Sequence, residues 1–203
     1  MRLSDFVIEW LVSKNINDIF TVSGGGSIAL CDAIANSNSM NYYCCHHEQA
    51  AAFAAEGYSR ESSDIGAALF TTGPGGTNAI TGVSCAWIDS VPIIFISGQV
   101  FSNQTIVNTK LRQLGVQEIN IVDLVKPNTK YAVVLKKPSD IKYELEKAYY
   151  YATSNRPGPV WIDIPADFQA KQVNPNKLRS YHIRPKKSDK LYLNDKILLL
   201  KEK

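Results

Sequence analysis

The chain has 203 residues, 45% of them hydrophobic and 20% charged, with a formal net charge of +3. That length buries one substantial core with room for an appendage; the charge balance itself says little about nucleic acid, but the basic tail lacks aromatic-basic interleaving and the basic face of a dedicated binder is missing. No run of about 20 apolar residues is present to cross a bilayer, and Asp5 and Glu9 fall where a signal peptide needs its apolar segment.

The spacing predicts a first helix over residues 4–14, capped by Ser4, with Asp5 and Glu9 near its positive end and Phe6, Val7, Trp10 and Leu11 on one stripe. Residues 18–22 read as a short buried strand ended by Ser23, Gly24, Gly25 and Gly26. A helix over 28–35 and a strand over 41–45 follow, then a helix over 47–59 whose alanines permit close packing. Residues 66–71 form the next strand, closed by the turn Thr72, Gly73, Pro74, Gly75, Gly76, and a helix runs from near Asn78 through Trp87. Strands over 92–97, 131–135 and 160–164 complete the pattern, with a helix capped by Ser139 and reaching Thr153 before the last of them. Strands alternate with helices and each strand reads as a continuous apolar run, which predicts an α/β fold: a parallel β-sheet with helices on both faces.

Residues 169–189 have neither period nor dense apolar content and read as a linker, and 190–200 as the opening of another helix. The expected division is therefore 1–168 for the sheet domain and 169–203 for a linker and the start of a truncated further domain. The basic surplus gathers in that tail, at Arg184, Lys186, Lys187, Lys190, Lys196, Lys201 and Lys203, and reads as a solvated linker. Cys31, Cys44, Cys45 and Cys85 match neither a zinc framework nor a small disulfide scaffold, so reduced, buried thiols in a cytoplasmic protein are expected and no metal site is.

Both glycine clusters directly follow predicted strands, where ligand crevices of open parallel sheets form. Tight strand-to-helix turning explains them equally well on spacing alone. Neither is a nucleotide motif: the third glycine of GxGxxG falls on Ala29, and no lysine follows Gly76 in the GxxxxGK manner. His46-His47-Glu48 cannot be an HExxH zinc site, because Ala51 stands at the second histidine position. Glu48 opens an alanine-rich helix; it serves either as a favourable first-turn charge or, if partly buried, as a carboxyl able to exchange a proton near neutral pH. A triad of Ser97, His47 and Asp89 lacks a nucleophile elbow and does not support hydrolysis. Arg156 opens the rigid turn Arg156-Pro157-Gly158-Pro159 and reads as one end of a structural salt link.

Taken together, four strings become specific: HHEQAAAFAAEGYSR at 46–60, TTGPGGTNAITGVSCAWIDSVPIIFISGQV at 71–100, LRQLGVQEINIVDLV at 111–125 and RPGPVWIDIP at 156–165. In this order and spacing, from about Leu3 to Gln169, the chain resembles the N-terminal, pyrimidine-binding domain of thiamine diphosphate-dependent enzymes of the acetolactate synthase type. The resemblance implies a 2-oxo acid decarboxylating and carboligating enzyme, a transferase or lyase. In that family a glutamate bonds N1′ of the aminopyrimidine, so that the exocyclic nitrogen removes the thiazolium C2 proton. Glu48 matches that glutamate. By the same resemblance Ser23, Gly24 and Gly25 line the pyrimidine, Gly73, Gly75 and Asn78 form the neighbouring loop, and His47 and Gln117 lie near the substrate.

The chain departs from the pattern at Ser23, where proline is usual, at Thr21, where glycine is frequent, and at His46, where arginine is frequent. No GDG motif for magnesium and diphosphate occurs. The resemblance therefore implies the aminopyrimidine half of a site, inactive alone, with Mg2+ entering only through a complementary diphosphate-binding domain. A homo-oligomer, a homodimer in the first instance, is expected, with neither nucleic acid nor membrane as partner. A subunit of a split enzyme, similar to the two-subunit sulfopyruvate decarboxylases, and a non-catalytic binding or regulatory module are the alternatives.

Overall fold

The computed structural model describes residues 1–107 and 109–183. Six strands, β1 (Asp18–Thr21), β2 (Asn41–Cys44), β3 (Gly66–Phe70), β4 (Ile93–Gln99), β5 (Tyr131–Val134) and β6 (Val160–Pro165), form one sheet in the order β2-β1-β3-β4-β6-β5, with every pairing parallel. Around it lie α1 (Leu3–Ser13), α2 (Ile28–Ala35), α3 (Glu48–Ser62), α4 (Pro74–Asn78), α5 (Ile80–Asp89), α6 (Ile121–Val125), α7 (Ile141–Thr153) and α8 (Ala166–Gln169). The predicted α/β architecture holds. No described helix is long and apolar enough to cross a membrane.

Successive side chains of a strand point to opposite faces, so a continuous apolar run needs a cover on each. β3, β4 and β6 are buried at every position. Ala67, Leu69, Ile94, Ile96, Val160, Ile162 and Ile164 join one core with residues of α1, α2 and α7. Their alternates Ala68, Phe70, Ile93, Phe95 and Trp161 join a second core with residues of α3, α5 and α6. In that second core Phe70, Phe95 and Trp161 stack across three strands, with ring centroids 5.5 to 6.1 Å apart. Each such pair adds about 0.5–1.5 kcal/mol to its area burial.

Several local expectations are corrected. Ser4 does not cap α1; it lies inside the helix with its Oγ buried and unpartnered, and Asp5 instead accepts from the Arg2 N–H at 3.2 Å. β2 is exposed along its whole length, because the polar and tyrosine-rich Asn41–Cys44 is an edge strand with a neighbour only in β1. The helix expected from near Asn78 through Trp87 is α5, but the turn expected over Thr72–Gly76 runs into the short helix α4, which Pro74 starts and Ala79 separates from α5. Ser139 sits in a 3-10 turn (Pro138–Asp140) ahead of α7, with Asp140 as the preceding residue. The four cysteines are free, as expected, but none is buried: Cys44 is exposed and the others are intermediate.

Arg156 makes no salt link among the described residues; its guanidinium donates to Ser90 Oγ at 2.5 Å and to the Ile88 carbonyl at 3.2 Å. Ser97 and Asp89 are tied elsewhere, Ser97 to Asp163 and Asp89 to Arg60, so no triad with His47 exists. Residues 170–183 are anchored to the domain: Leu3 N–H donates to Lys171 O, Val173 N–H to Met1 O, and Tyr181 packs on Tyr143 and Tyr150 of α7. The helix expected over 190–200 and the basic tail lie outside the described residues.

Where the second core meets the carboxyl ends of β4 and β6, the same rows of positions turn polar. Ser97 and Asp163 are register partners, and Asp163 is wholly buried. Burial pushes its carboxyl up to about 7, against the opposing hydrogen bonds from Ser97 Oγ at 2.5 Å and Gln99 Nε2 at 2.9 Å. An unfolded aspartate titrates near ~3.9. Between about pH 4 and about pH 7 the native chain thus holds a proton that the unfolded chain has lost. Asp163's contribution to stability is therefore fullest below that window and is lost as pH climbs through it, by on the order of 4 kcal/mol. Urea unfolding at about pH 5.5 and about pH 8 should show the wild type losing stability with rising pH relative to Asp163→Asn; parallel pH dependences would refute the assignment.

Candidate functional site

The chain runs from β1 through α2 to β2 on one side, and then returns through α3 to β3 on the other side of β1. α2 belongs to one core and α3 to the other, so the helices leave opposite faces of the sheet. Such a reversal opens a crevice at the carboxyl ends of the two adjacent strands, the usual ligand position in open α/β sheets. Both glycine clusters sit there, Ser23 to Gly26 after β1 and Gly73 to Gly76 after β3.

The floor is backbone packed on backbone. Gly26 N–H donates to Thr71 Oγ1 at 3.1 Å, and Thr72 Oγ1 donates to the Gly98 carbonyl at 3.1 Å. A β-carbon at Gly98 would stand 2.0 Å from the Gly26 carbonyl oxygen, so β4 meets the first glycine turn only because position 98 has no side chain. Gln169 Nε2 bridges the Gly26 carbonyl at 2.7 Å to Ile164 O at 2.9 Å, tying the turn to β6. Gly73 has φ +62, and a β-carbon there would lie 1.9 Å from the Gln117 carbonyl oxygen. Only glycine occupies that region without strain.

Glu48 stands at the first position of α3 and is 9% exposed. Its Oε2 accepts from Asn78 Nδ2 at 2.9 Å, and the β-carbon position of Gly75 lies 3.4 Å from Oε1. Asn78 is its one hydrogen-bond donor among the described residues. The carboxylate is thus half satisfied, pinned on one oxygen and open on the other beside the second glycine turn. The positive end of α3 and burial act on it together. No group of three or more metal-ligating side chains exists among the described residues.

The structure brings Glu48, Gly75 and Asn78 together, with Gly73 in the same turn. Ser23 and Gly25 are exposed at the neighbouring strand end and Gly24 is partly so; a cavity of about 120 Å3 opens beside Ser23, walled by Thr21, Cys31, Ile34, Ala35, Tyr42 and Cys44. His47 is exposed and caps α3, its Nδ1 accepting the Gln49 N–H at 3.1 Å. Gln117 is exposed, with φ 57, and meets the site through its carbonyl against Gly73. Thr71, Thr72, Gln99, Glu118 and Gln169 were not singled out in the sequence. Each does its work by bonding distant backbone, which no local spacing announces.

The sheet order, reversing at β1, places the chain among the open, parallel α/β domains. Residues 1–124 match the family model of the thiamine pyrophosphate enzyme N-terminal TPP binding domain. The chain belongs to that family. It is 39% identical over 173 residues to the acetolactate synthase large subunit of Haemophilus influenzae, covering 85% of this chain and 28% of that protein. It is 35% identical to the chloroplastic acetolactate synthase of Arabidopsis thaliana, over 98% of this chain and 30% of that protein. A 35% match to acetolactate synthase isozyme 3 large subunit of Escherichia coli covers 86% and 29% respectively. The chain thus spans under a third of the length of these relatives.

Two glycine replacements separate close approach from mere looseness. Gly73→Ala must relieve both a positive φ and the Gln117 contact and should cost about 1–3 kcal/mol. Gly25→Ala, where nothing lies within 4 Å of the added carbon, should stay within about 0.5–1 kcal/mol of wild type. Urea unfolding of the two variants gives the comparison, and equal losses would contradict the geometry.

Proposed function

We propose that this chain supplies the aminopyrimidine half of a thiamine diphosphate site, and that Glu48 is the carboxyl that shares a proton with the ring nitrogen N1′. The carrying observation is Glu48 itself, buried and held on one oxygen by Asn78 while the other faces the Gly75 turn. When bound, thiamine diphosphate supplies the carbanion chemistry beside a carbonyl that acetolactate synthases use. The residues' work is to bind and orient: the Ser23–Gly24–Gly25 and Gly73–Gly75 backbones face the ring, Asn78 holds Glu48 in place, and Glu48 holds or yields a proton at its free oxygen. His47 and Gln117, exposed at the rim, are the side chains placed to meet a 2-oxo acid.

The reading extends to a cytoplasmic, acetolactate synthase-like transferase or lyase that decarboxylates and joins 2-oxo acids. The chain is inactive alone, because magnesium and the diphosphate need a complementary diphosphate-binding domain. It works as a homodimer or higher oligomer, or beside a subunit that carries that domain. Exposed Tyr42, Tyr43, Phe53, Trp87 and Ile88 favour association over a monomer.

Glu48→Gln tests the chemical role. In a complex with a diphosphate-binding partner, C2 proton exchange of bound cofactor should slow by about 10²-fold or more, the scale of a lost general acid–base group. Exchange at the wild-type rate would reject Glu48 as the activating carboxyl. Light scattering of the chain alone should give a mass above 22.5 kDa; a strict monomer at high concentration would count against self-association.

A further inference from the structure

Gln99 is the last residue of β4, and its carboxamide is used completely. Nε2 donates to Asp163 Oδ2 at 2.9 Å and to the Ile119 carbonyl at 3.0 Å, while Oε1 accepts the Val100 N–H at 2.9 Å. One side chain thus ties the first residue of the segment after β4 to its far end, and anchors both to a carboxylate beneath them. Two residues before Ile119 is Gln117, whose carbonyl closes on Gly73. Between them Glu118 is buried and gathers the amides of Ile106, Leu114 and Gly115, which folds the segment on itself. Ser102 donates its N–H and Oγ to Asp167 at 2.7 and 2.8 Å and holds the near end on α8, while Gln99 ties the far end at Ile119.

We propose that Asp163 is a positioning residue, which through Gln99 holds the segment after β4 against the Gly73 turn and releases it on protonation. What that turn faces rests on the cofactor reading above; the strap itself does not. The ionised carboxylate accepts from both neighbours, Ser97 Oγ on Oδ1 and Gln99 Nε2 on Oδ2, and Ser97 Oγ in turn accepts the Trp161 Nε1–H at 2.8 Å. A proton added to Oδ1 meets the Ser97 hydroxyl hydrogen, which has no second acceptor among the described residues. A proton on Oδ2 meets Nε2, donor against donor, and finds an acceptor once the Gln99 carboxamide turns over and presents Oε1. That turn sets Nε2 against the Val100 N–H and Oε1 against the Ile119 carbonyl, so both ends of the strap break together.

Among the described residues no charged group faces Asp163 to complicate its titration. β4 presents Ser97 and Gln99, β5 presents Val134 as its register partner, and its own strand presents Trp161. Asp123 of α6 is exposed and bonded to Asn120, and Glu118 is turned to its own segment's amides. The ionised form that holds the strap is also the form that costs most to bury, so a tighter segment is gained at the expense of global stability.

Lys110 and Arg112 are exposed within the segment and report its release to trypsin. Cuts at these two bonds in the full chain are followed by mass spectrometry and normalised to a small peptide substrate at each pH. With the carboxyl at about 7, its neutral fraction rises about ten-fold from pH 8 to pH 6. Cutting of the wild type should rise by up to about the same factor, since proteolysis tracks the open population. Gln99→Ala and Asp163→Asn should be cut fast at both pH values, and Gln99→Ala should still show a Trp161 emission change near pH 7 because the carboxyl remains. Equal cutting of the wild type at both pH values, or Gln99→Ala cut no faster than wild type at pH 8, overturns the proposal. Thiamine diphosphate titration by calorimetry is a separate measurement: no binding at either pH sinks the cofactor reading and leaves the cutting pattern to judge Asp163.

Discussion

The interaction on which the rest depends is the contact of bare backbone with bare backbone at the carboxyl ends of β1, β3 and β4. A β-carbon at Gly98 would sit 2.0 Å from the Gly26 carbonyl oxygen, and one at Gly73 would sit 1.9 Å from that of Gln117. Interiors packed at crystal-like density do not yield to such overlaps by small adjustments. The consequence is a strand-end shelf in which turns that belong to distant stretches of sequence are held at fixed separation. Glu48 has a defined neighbour in Gly75 only because the shelf is rigid. If the turns were free to separate, the same carboxylate would be one more charged residue at a helix start.

How much of this was legible follows from the range of the forces involved. β3, β4 and β6 were readable because each is covered on both faces, which leaves a continuous apolar run as its trace. β2 was also readable as a strand, over 41–45, but its burial was not legible: an edge strand with exposed Asn41, Tyr42, Tyr43 and Cys44 is fixed by its pairing with β1 and not by cover on both faces. α6 escaped prediction as a helix because five residues are too few to show a period, and the Asn120 side chain that caps it acts on Asp123 alone. Glu48 was visible as a residue and ambiguous as a role. Its burial and its bond to Asn78, thirty positions away, are geometry that no local pattern carries. Ser4 failed as a cap for the converse reason: the local rule holds, but Asp5 paired with Arg2 satisfies the helix start better and lets Ser4 be buried.

Two buried carboxyls lie near the shelf and are prepared in opposite ways. Asp163 is wholly enclosed, accepts on both oxygens and touches no cation, so desolvation outweighs its hydrogen bonds and raises its proton affinity. Glu48 keeps a margin of exposure and one unengaged oxygen, beside a helix start that favours its charge. On the proposed reading Glu48 hands a proton to a ligand and needs such an unengaged oxygen, whereas a group that holds structure needs none. The difference between them is therefore read from unfilled hydrogen-bonding capacity and not from burial.

The proposed half-site follows the same division between close backbone and open hydrogen-bonding capacity. A flat heteroaromatic ring needs a wall of close backbone and one well-placed acid, both of which a single rigid shelf provides. A diphosphate needs a concentration of positive charge. No group of metal-ligating side chains exists among the described residues, and the shelf is built of glycine, threonine and amide side chains without a cation. At Gly24, Gly26, Gly73 and Gly98 the packing admits no side chain, whereas Gly25 has open space beside it. On the proposed reading the shelf supplies the wall, and the phosphate anchor falls to a second surface.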